Sequence, residues 1–182
     1  MSLSGSVALE TPRLILRDFT ADDLPAYATL CANPRVMRYL GGSKSAESAR
    51  LEMLGISQFF AESGFGMLAV ERKEDAVFLG SCGLSVETWY SDDLQIGWSF
   101  LPEHWRHGYA TEAALAWRDL AFAVPVPRLV SISDAPNVQS HRVMERIGMR
   151  FDHAAALSIG NDKFDAFIYV LTLEDWSSLA KL

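Results

Sequence analysis

Residues 96–113 read IGWSFLPEHWRHGYATEA, and the order of elements they imply decides the kind of fold. Residues 94–101 predict a strand and PEHWRHG a short loop. A helix then runs from about Tyr109 to Ala123, closed by the prolines at 125 and 127. A strand that passes through a short loop straight into a helix places the start of that helix at the strand's carboxyl end. The first backbone N–H groups of a helix have no partner within it, and the aligned peptide dipoles make that end partly positive. Such an end takes a phosphate or pyrophosphate. The first turn is Gly108, Tyr109, Ala110 and Thr111, and the small Gly108 and Ala110 keep side chains away from those donors. Arg106, with His104 and His107 when protonated, adds local positive charge. The patterns GxGxxG and GxxxxGK[ST] are both absent, which argues against dinucleotides and against hydrolysis of nucleoside triphosphates.

Downstream, residues 134–151 read DAPNVQSHRVMERIGMRF and carry a second constellation. Residues 128–133 predict a strand, and 138–147 a short helix ending at Gly148. Asn137 and Ser140 stand one turn apart at its start, and Asn137 alone also fits an ordinary helix cap. Both helix starts follow the carboxyl ends of strands, where open sheets bind ligands. If strands 94–101 and 128–133 are parallel neighbours joined by a crossover helix, both starts open on one crevice.

Working outward, residues 13–19 alternate apolar and charged side chains, as a half-buried strand does. Thr20, Asp22 and Asp23 open a helix whose apolar face is Leu24, Tyr27, Leu30 and Cys31, ending near Asn33 and Pro34. A second helix is expected over 45–62 with Leu51, Leu54, Phe59 and Phe60 among its apolar positions. Strands are expected at 67–72 and 77–86, then at 149–157 and 164–173, with a last helical turn behind them. The class is α+β (mixed α/β) around one sheet, with helices early, a meander next and β-helix-β-helix-β-β last.

The chain has 182 residues, 49% hydrophobic and 21% charged, with 16 basic and 23 acidic side chains for a net charge of −7. That length suits a single domain, 1–182, with residues 1–10 expected as a flexible leader. A nucleic-acid binder carries a basic excess, which is missing here. The acid is evenly spread: residues 1–90 hold 8 basic and 11 acidic groups, and residues 91–182 hold 8 and 12. Cys31 and Cys82 have no CxxC spacing and read as buried thiols in a reducing compartment. The start shows no basic-then-apolar signal, and the apolar run at 120–126 is far short of the ~20 residues that span a bilayer. A cytoplasmic protein without membrane or nucleic-acid partners is expected. His104 and His107 lack an HExxH setting, so no metal is expected. No GxSxG nucleophile motif appears.

Four stretches together resemble the GNAT (Gcn5-related) N-acetyltransferases, and within them the RimJ/RimL-like branch. They are LETPRLILRDFTADDL, IGWSFLPEHWRHGYATEA, PNVQSHRVMERIGM and YVLTLEDW, in that order along nearly the whole chain. The resemblance implies a mostly antiparallel sheet with one parallel β-α-β pair forming an acetyl-CoA cleft, and helices on both faces. It implies a pyrophosphate loop at Trp105, Arg106, His107, Gly108, Tyr109 and Ala110, continuing into Thr111. Trp98, Ser99 and Phe100 match the strand that pairs with the pantetheine arm, and Asn137 and Ser140 match positions near the arm and the thioester sulfur. The implied reaction is direct attack of a primary amine on acetyl-CoA in a ternary complex. The acceptor is a protein N-terminal α-amine, including a ribosomal-protein one, or a small amine or amino acid.

Two positions depart from the family pattern. Many relatives have a tyrosine acid seven residues after the asparagine, where this chain has Met144, and Ser140 is the nearest replacement, with solvent as its rival. Relatives often carry glutamate where Gln95 stands. An amine with a pKa of about 10.4 must lose a proton before attack, and the developing oxyanion needs a donor, such as a backbone N–H of strand 98–101. Base candidates are Glu87, Asp92, Asp93, Glu103, His104 and His153. The two departures also leave room for an acyl-CoA-binding module with little turnover. Arg142, Arg146 and Arg150 recur every four residues, as a solvated face with one of them open to the CoA 3′-phosphate. A homodimer is the default assembly for a small enzyme.

Overall fold

The structure, a computed structural model, describes residues 9–124, 126–160 and 162–179. Eight strands make one sheet: β1 (Leu9–Glu10), β2 (Leu14–Arg17), β3 (Met67–Arg72), β4 (Val77–Val86), β5 (Leu94–Phe100), β6 (Arg128–Asp134), β7 (Arg150–Ile159) and β8 (Asp162–Thr172). Their spatial order is β1-β2-β3-β4-β5-β6-β8-β7. Every neighbouring pair is antiparallel except β5 and β6. The helices are α1 (Leu24–Ala32), α2 (Ala46–Ser63), α3 (Tyr109–Phe122), α4 (Val138–Arg146) and α5 (Leu173–Leu179).

Strand alternation divides the core. Leu84, Ile96, Leu129 and Tyr169 face α3, where Trp117 is fully buried and its indole donates to the Cys82 carbonyl at 3.0 Å. Ala69 and Phe78 face the other way, onto Tyr27, Leu30, Ala49 and Met53 of α1 and α2. Cys31 and Cys82 are free and buried, and burial pushes both thiols up, as suits inert core residues. Gly83 allows β3 and β4 to meet closely, because a Cβ there would lie 2.1 Å from the Gly66 carbonyl oxygen.

One expectation is corrected, and the face of one helix is decided. Residues 1–8 of the expected leader lie outside the described residues, but Leu9 and Glu10 belong to the sheet, paired with Leu16 and Ile15. On α2 the inward stripe is Ala49, Met53 and Phe60, whereas Leu51, Leu54 and Phe59 are 56%, 52% and 44% exposed. Ala49 and Met53 pack with Tyr27 and Leu30 of α1, and Phe60 packs with Leu14 and Leu68 of the sheet. Pro125 falls outside the described residues.

Candidate active site

The parallel pair opens almost as soon as it forms. Leu94 pairs with Leu129 and Gln95 with Val130, and there the β5–β6 ladder ends. The Ser131 hydroxyl donates to the Ile96 carbonyl at 2.9 Å, and beyond that point the strands diverge toward their carboxyl ends. Along β5, alternate residues direct their backbone groups to opposite edges. Ser99 lies opposite Ser81, and the Leu101 N–H reaches the Leu79 carbonyl at 2.9 Å, so odd positions serve β4. On the edge facing the gap, the Ile96 carbonyl is taken by Ser131 and the Phe100 carbonyl by the Trp105 indole at 2.7 Å. Trp98, midway between them, keeps its N–H and C=O toward the gap without a strand partner among the described residues.

The open end of the gap is met by two helix starts. Gly108 caps α3 at φ +82 with no side-chain cap, so the first N–H groups of the helix stay free. Before it, Arg106 holds φ +65, a left-handed conformation that is unusual for a side chain with a Cβ. Asn137 caps α4, and its side chain makes no cap bond either. Its backbone is fixed from both sides: its N–H donates to the Asp134 carbonyl at 2.9 Å, and its carbonyl accepts from Ser140 N at 3.1 Å. Neither the Asn137 amide nor the Ser140 hydroxyl has a hydrogen-bond partner in the protein among the described residues, and both are half-buried. His141, beside them, stacks on Phe167 and Tyr169 at 5.2 and 5.5 Å, and its Nε2 is buried without a partner. Burial holds this imidazole below its ordinary pKa.

A third group of contacts braces the α3 start. Glu112, in the first turn, accepts from Thr11 Oγ1 at 2.5 Å, Arg13 N at 2.9 Å and Arg13 Nε at 2.7 Å. Burial raises its pKa, but these donors outweigh burial and hold the carboxylate below its usual range. Arg13 also reaches the His107 carbonyl at 3.1 Å and lies over the Tyr109 ring at 4.7 Å. A cavity of about 640 Å³ beside this brace is lined by Thr11, Gly108, Thr111, Leu115 and Arg146.

Most residues singled out from the sequence therefore converge on one gap. Gly108, Ala110, Thr111, Trp98, Asn137 and Ser140 surround it through β5, α3 and α4. Others hold the site without presenting a side chain to it. Tyr109 is buried in the core, Ser99 pairs its hydroxyl with Ser81 at 3.0 Å, and Trp105 ties the loop to β5 beneath Arg35. Met144 is a core residue at 1% exposure and has no acidic proton to offer.

The base candidates are scattered. Glu87 accepts from Ser85 and Trp89, and Asp93 is held below its usual pKa by two bonds from Arg128. Both belong to the closed end of the gap, beside Leu94. His153 lies on the outer strand β7, paired with Asp152 at 2.7 Å. Glu103 and His104 line a separate cavity of about 700 Å³ with Arg17, Asp22 and Phe78, and burial lowers the His104 pKa. Thr11, Arg13, Glu112 and Ser131 were not legible as site residues, since each acts through a partner far away in sequence. An acidic residue in a first helical turn was the one local signal, and it reads equally as complement to the helix dipole. No group of His, Cys, Asp or Glu suited to a metal ion, and no helix long and apolar enough to cross a membrane, occurs among the described residues.

The family profile described as an acetyltransferase (GNAT) domain matches residues 13–150, which span β2 to the start of β7. The chain belongs to the GNAT acetyltransferases. It is 32% identical to the uncharacterised protein YkkB of Bacillus subtilis (strain 168) over 154 residues, covering 82% of this chain and 88% of that one. An acetyltransferase from Agrobacterium tumefaciens str. C58 is 31% identical with a TM-score of 0.75, over 94% of this chain and 98% of that one. A GNAT-family acetyltransferase from Bacillus anthracis is 26% identical with a TM-score of 0.79, over 92% and 99%. As a GNAT enzyme the protein is an acetyl-CoA-dependent N-acetyltransferase, and its acceptor is an amine.

Proposed function

We propose that acetyl-CoA lies in the gap between β5 and β6, with its pyrophosphate on the start of α3. One observation carries this reading: two uncapped helix starts, at Gly108 and Asn137, meet the open end of a single gap whose β5 edge retains a free backbone pair at Trp98. The fit is chemical as well as spatial, since free N–H groups at a positive helix end suit a diphosphate. Tyr109, Ala110 and Thr111 supply those N–H groups, and Gly108 leaves them uncovered. Arg146, the cation lining the neighbouring cavity, reaches for the 3′-phosphate. Trp98 pairs with the pantetheine arm as an added strand would. Bound acetyl-CoA supplies an activated acyl thioester. The Trp98 N–H faces the position where negative charge develops on the acyl oxygen. Asn137 orients the arm, and Ser140 gives its proton to the leaving thiolate.

The acceptor we infer is a protein N-terminal α-amine, on the RimJ/RimL-like resemblance of the motifs. Two fold neighbours illustrate the acceptor range. A Vibrio cholerae spermidine N-acetyltransferase, in complex with CoA and spermine, is 17% identical with a TM-score of 0.73. A Vibrio cholerae protein described as a ribosomal-protein-serine acetyltransferase is 17% identical with a TM-score of 0.76. At that identity they support the fold alone. The net charge of −7 favours a cationic amine of either class. Thiol release measured across N-terminal peptides, polyamines and amino acids separates the classes, with the peptides expected to turn over fastest.

The cofactor reading has its own test. Gly108→Asp places bulk and negative charge at the α3 start, and CoA affinity by calorimetry should fall at least about tenfold. Unchanged affinity would remove the pyrophosphate from this helix start.

A further inference from the structure

Arg13 lies on the N-terminal side of β2, on a different element from every residue assigned to the cofactor above. Its backbone is held in the sheet, where the Arg13 carbonyl accepts from Lys73 N at 2.9 Å. From that fixed base the guanidinium reaches two places at once. Nε and Nη2 bind Glu112 Oε2 at 2.7 and 2.6 Å, while Nη1 binds the His107 carbonyl at 3.1 Å. One side chain thus ties the first turn of α3 to the residue just before its cap. Thr11 Oγ1 and Arg13 N close the other carboxylate oxygen of Glu112. Two left-handed residues stand in this loop: Gly108 at φ +82 lies between the anchors, and Arg106 at φ +65 immediately precedes them. A non-glycine residue persists in that conformation only where its surroundings hold it. The Arg13 guanidinium also defines the near side of the cradle: a Cβ built on Gly108 would stand 3.5 Å from Nη2.

We infer that Arg13, braced on Glu112 and Thr11, is a positioning residue for the cofactor loop, setting the direction of the α3 start without itself binding the substrate. The inference rests on the placement of the pyrophosphate at Gly108. Half of the Arg13 side chain is exposed, at 48%, and exposed ion pairs contribute little to folding. The brace therefore acts on loop geometry more than on stability. A planar fork that serves a carboxylate and a carbonyl together has no equivalent in lysine, whose ammonium is a single point of charge.

The test uses the full chain with CoA in calorimetry and acetyl-CoA in steady-state kinetics. Arg13→Gln is expected to weaken CoA binding and raise the acetyl-CoA KM about tenfold, with kcat at saturation and the acceptor KM each within about threefold of the parent. Arg13→Lys should restore only part of the affinity, and Glu112→Gln should move the KM in the same direction by less. CoA affinity within twofold of the parent in both Arg13→Gln and Glu112→Gln overturns the proposal. So does a parallel fall of Tm, kcat and both KM values, or loss of folding in both variants, which would make the brace an element of the fold alone. Gly108→Asp, run alongside, separates the two ideas: if it weakens CoA binding while Arg13→Gln does not, the cofactor site stands and the positioning role falls.

Discussion

Ser140 and Asn137 present side chains without protein partners among the described residues at the start of α4, on the edge of a gap where the Ile96 and Phe100 carbonyls are already taken. Met144 is buried in the core, and the proton donor proposed for the leaving thiolate is Ser140. Ser140→Ala should lower kcat by about a hundredfold and leave the acetyl-CoA KM within a few-fold, as measured by thiol release. Full activity in that variant would assign the proton to solvent. Residues of this kind were legible because their signals are local: a glycine before a helix, a small residue two positions on, a polar pair one turn apart. Ser99 and Phe100 show where local reading stops. The Ser99 backbone faces β4 and the Phe100 carbonyl accepts from Trp105, a matter of which edge each residue faces. Arg13 and Glu112 are separated by 99 positions, and only the folded chain brings them together.

Elements followed the sequence closely wherever a period repeats. β3 and β4 begin and end where the sequence predicts strands, and α3 and α4 stop where proline and glycine lie ahead. On α2 the apolar positions do not by themselves mark the buried face: Ala49, Met53 and Phe60 are covered, while Leu51, Leu54 and Phe59 stay exposed. Two glycines facing each other across β4 and β5 offer a test of the register. Gly83 and Gly97 are partners, yet a Cβ at Gly83 would meet the Met67 Cα at 2.5 Å, while one at Gly97 has nothing within 4 Å. Gly83→Ala should therefore cost about 3 kcal/mol or more in chemical denaturation, and Gly97→Ala should leave stability within about 1 kcal/mol. Equal costs at the two positions would contradict the close approach of Gly66 and Met67 to Gly83.

Across the whole molecule, stability and charge follow from what burial does to titrating groups. His104 and His141 are held below their ordinary pKa by burial, so the fold favours their neutral forms. The unfolded chain takes up those protons near pH 6.5, so their contribution is complete above that pH and is lost as pH falls below it. Glu112 and Asp23 are held down by their hydrogen-bond donors against the effect of burial, and Asp93 by Arg128. Their contribution is present above about pH 4 and disappears as pH falls further. Tm should decline in two stages on acidification, the first beginning as pH falls through about 6.5. His141→Phe keeps the stack on Phe167 and Tyr169 and removes the unpartnered Nε2, so it should shrink the first stage. A Tm that stays flat from pH 7.5 to 5.5 in the parent would contradict the histidine assignment. The same scale corrects a simple reading of charge. A chain of net −7 repels long polyanions, but the positive end of one helix is local and is averaged away in the whole-chain count.

The sequence by itself determined the class of fold, the strand-loop-helix unit at residues 94–123, and the polar pair at Asn137 and Ser140. Those features depend on interactions within a few residues: helical and strand periods, caps and turn chemistry. Tertiary structure alone decided that β5 and β6 part after Gln95, that the Trp98 backbone faces the gap without a strand partner there among the described residues, and that Arg13 reaches from beside β2 to the α3 start. These depend on register and on contacts between distant segments, which are set only when the whole sheet has formed.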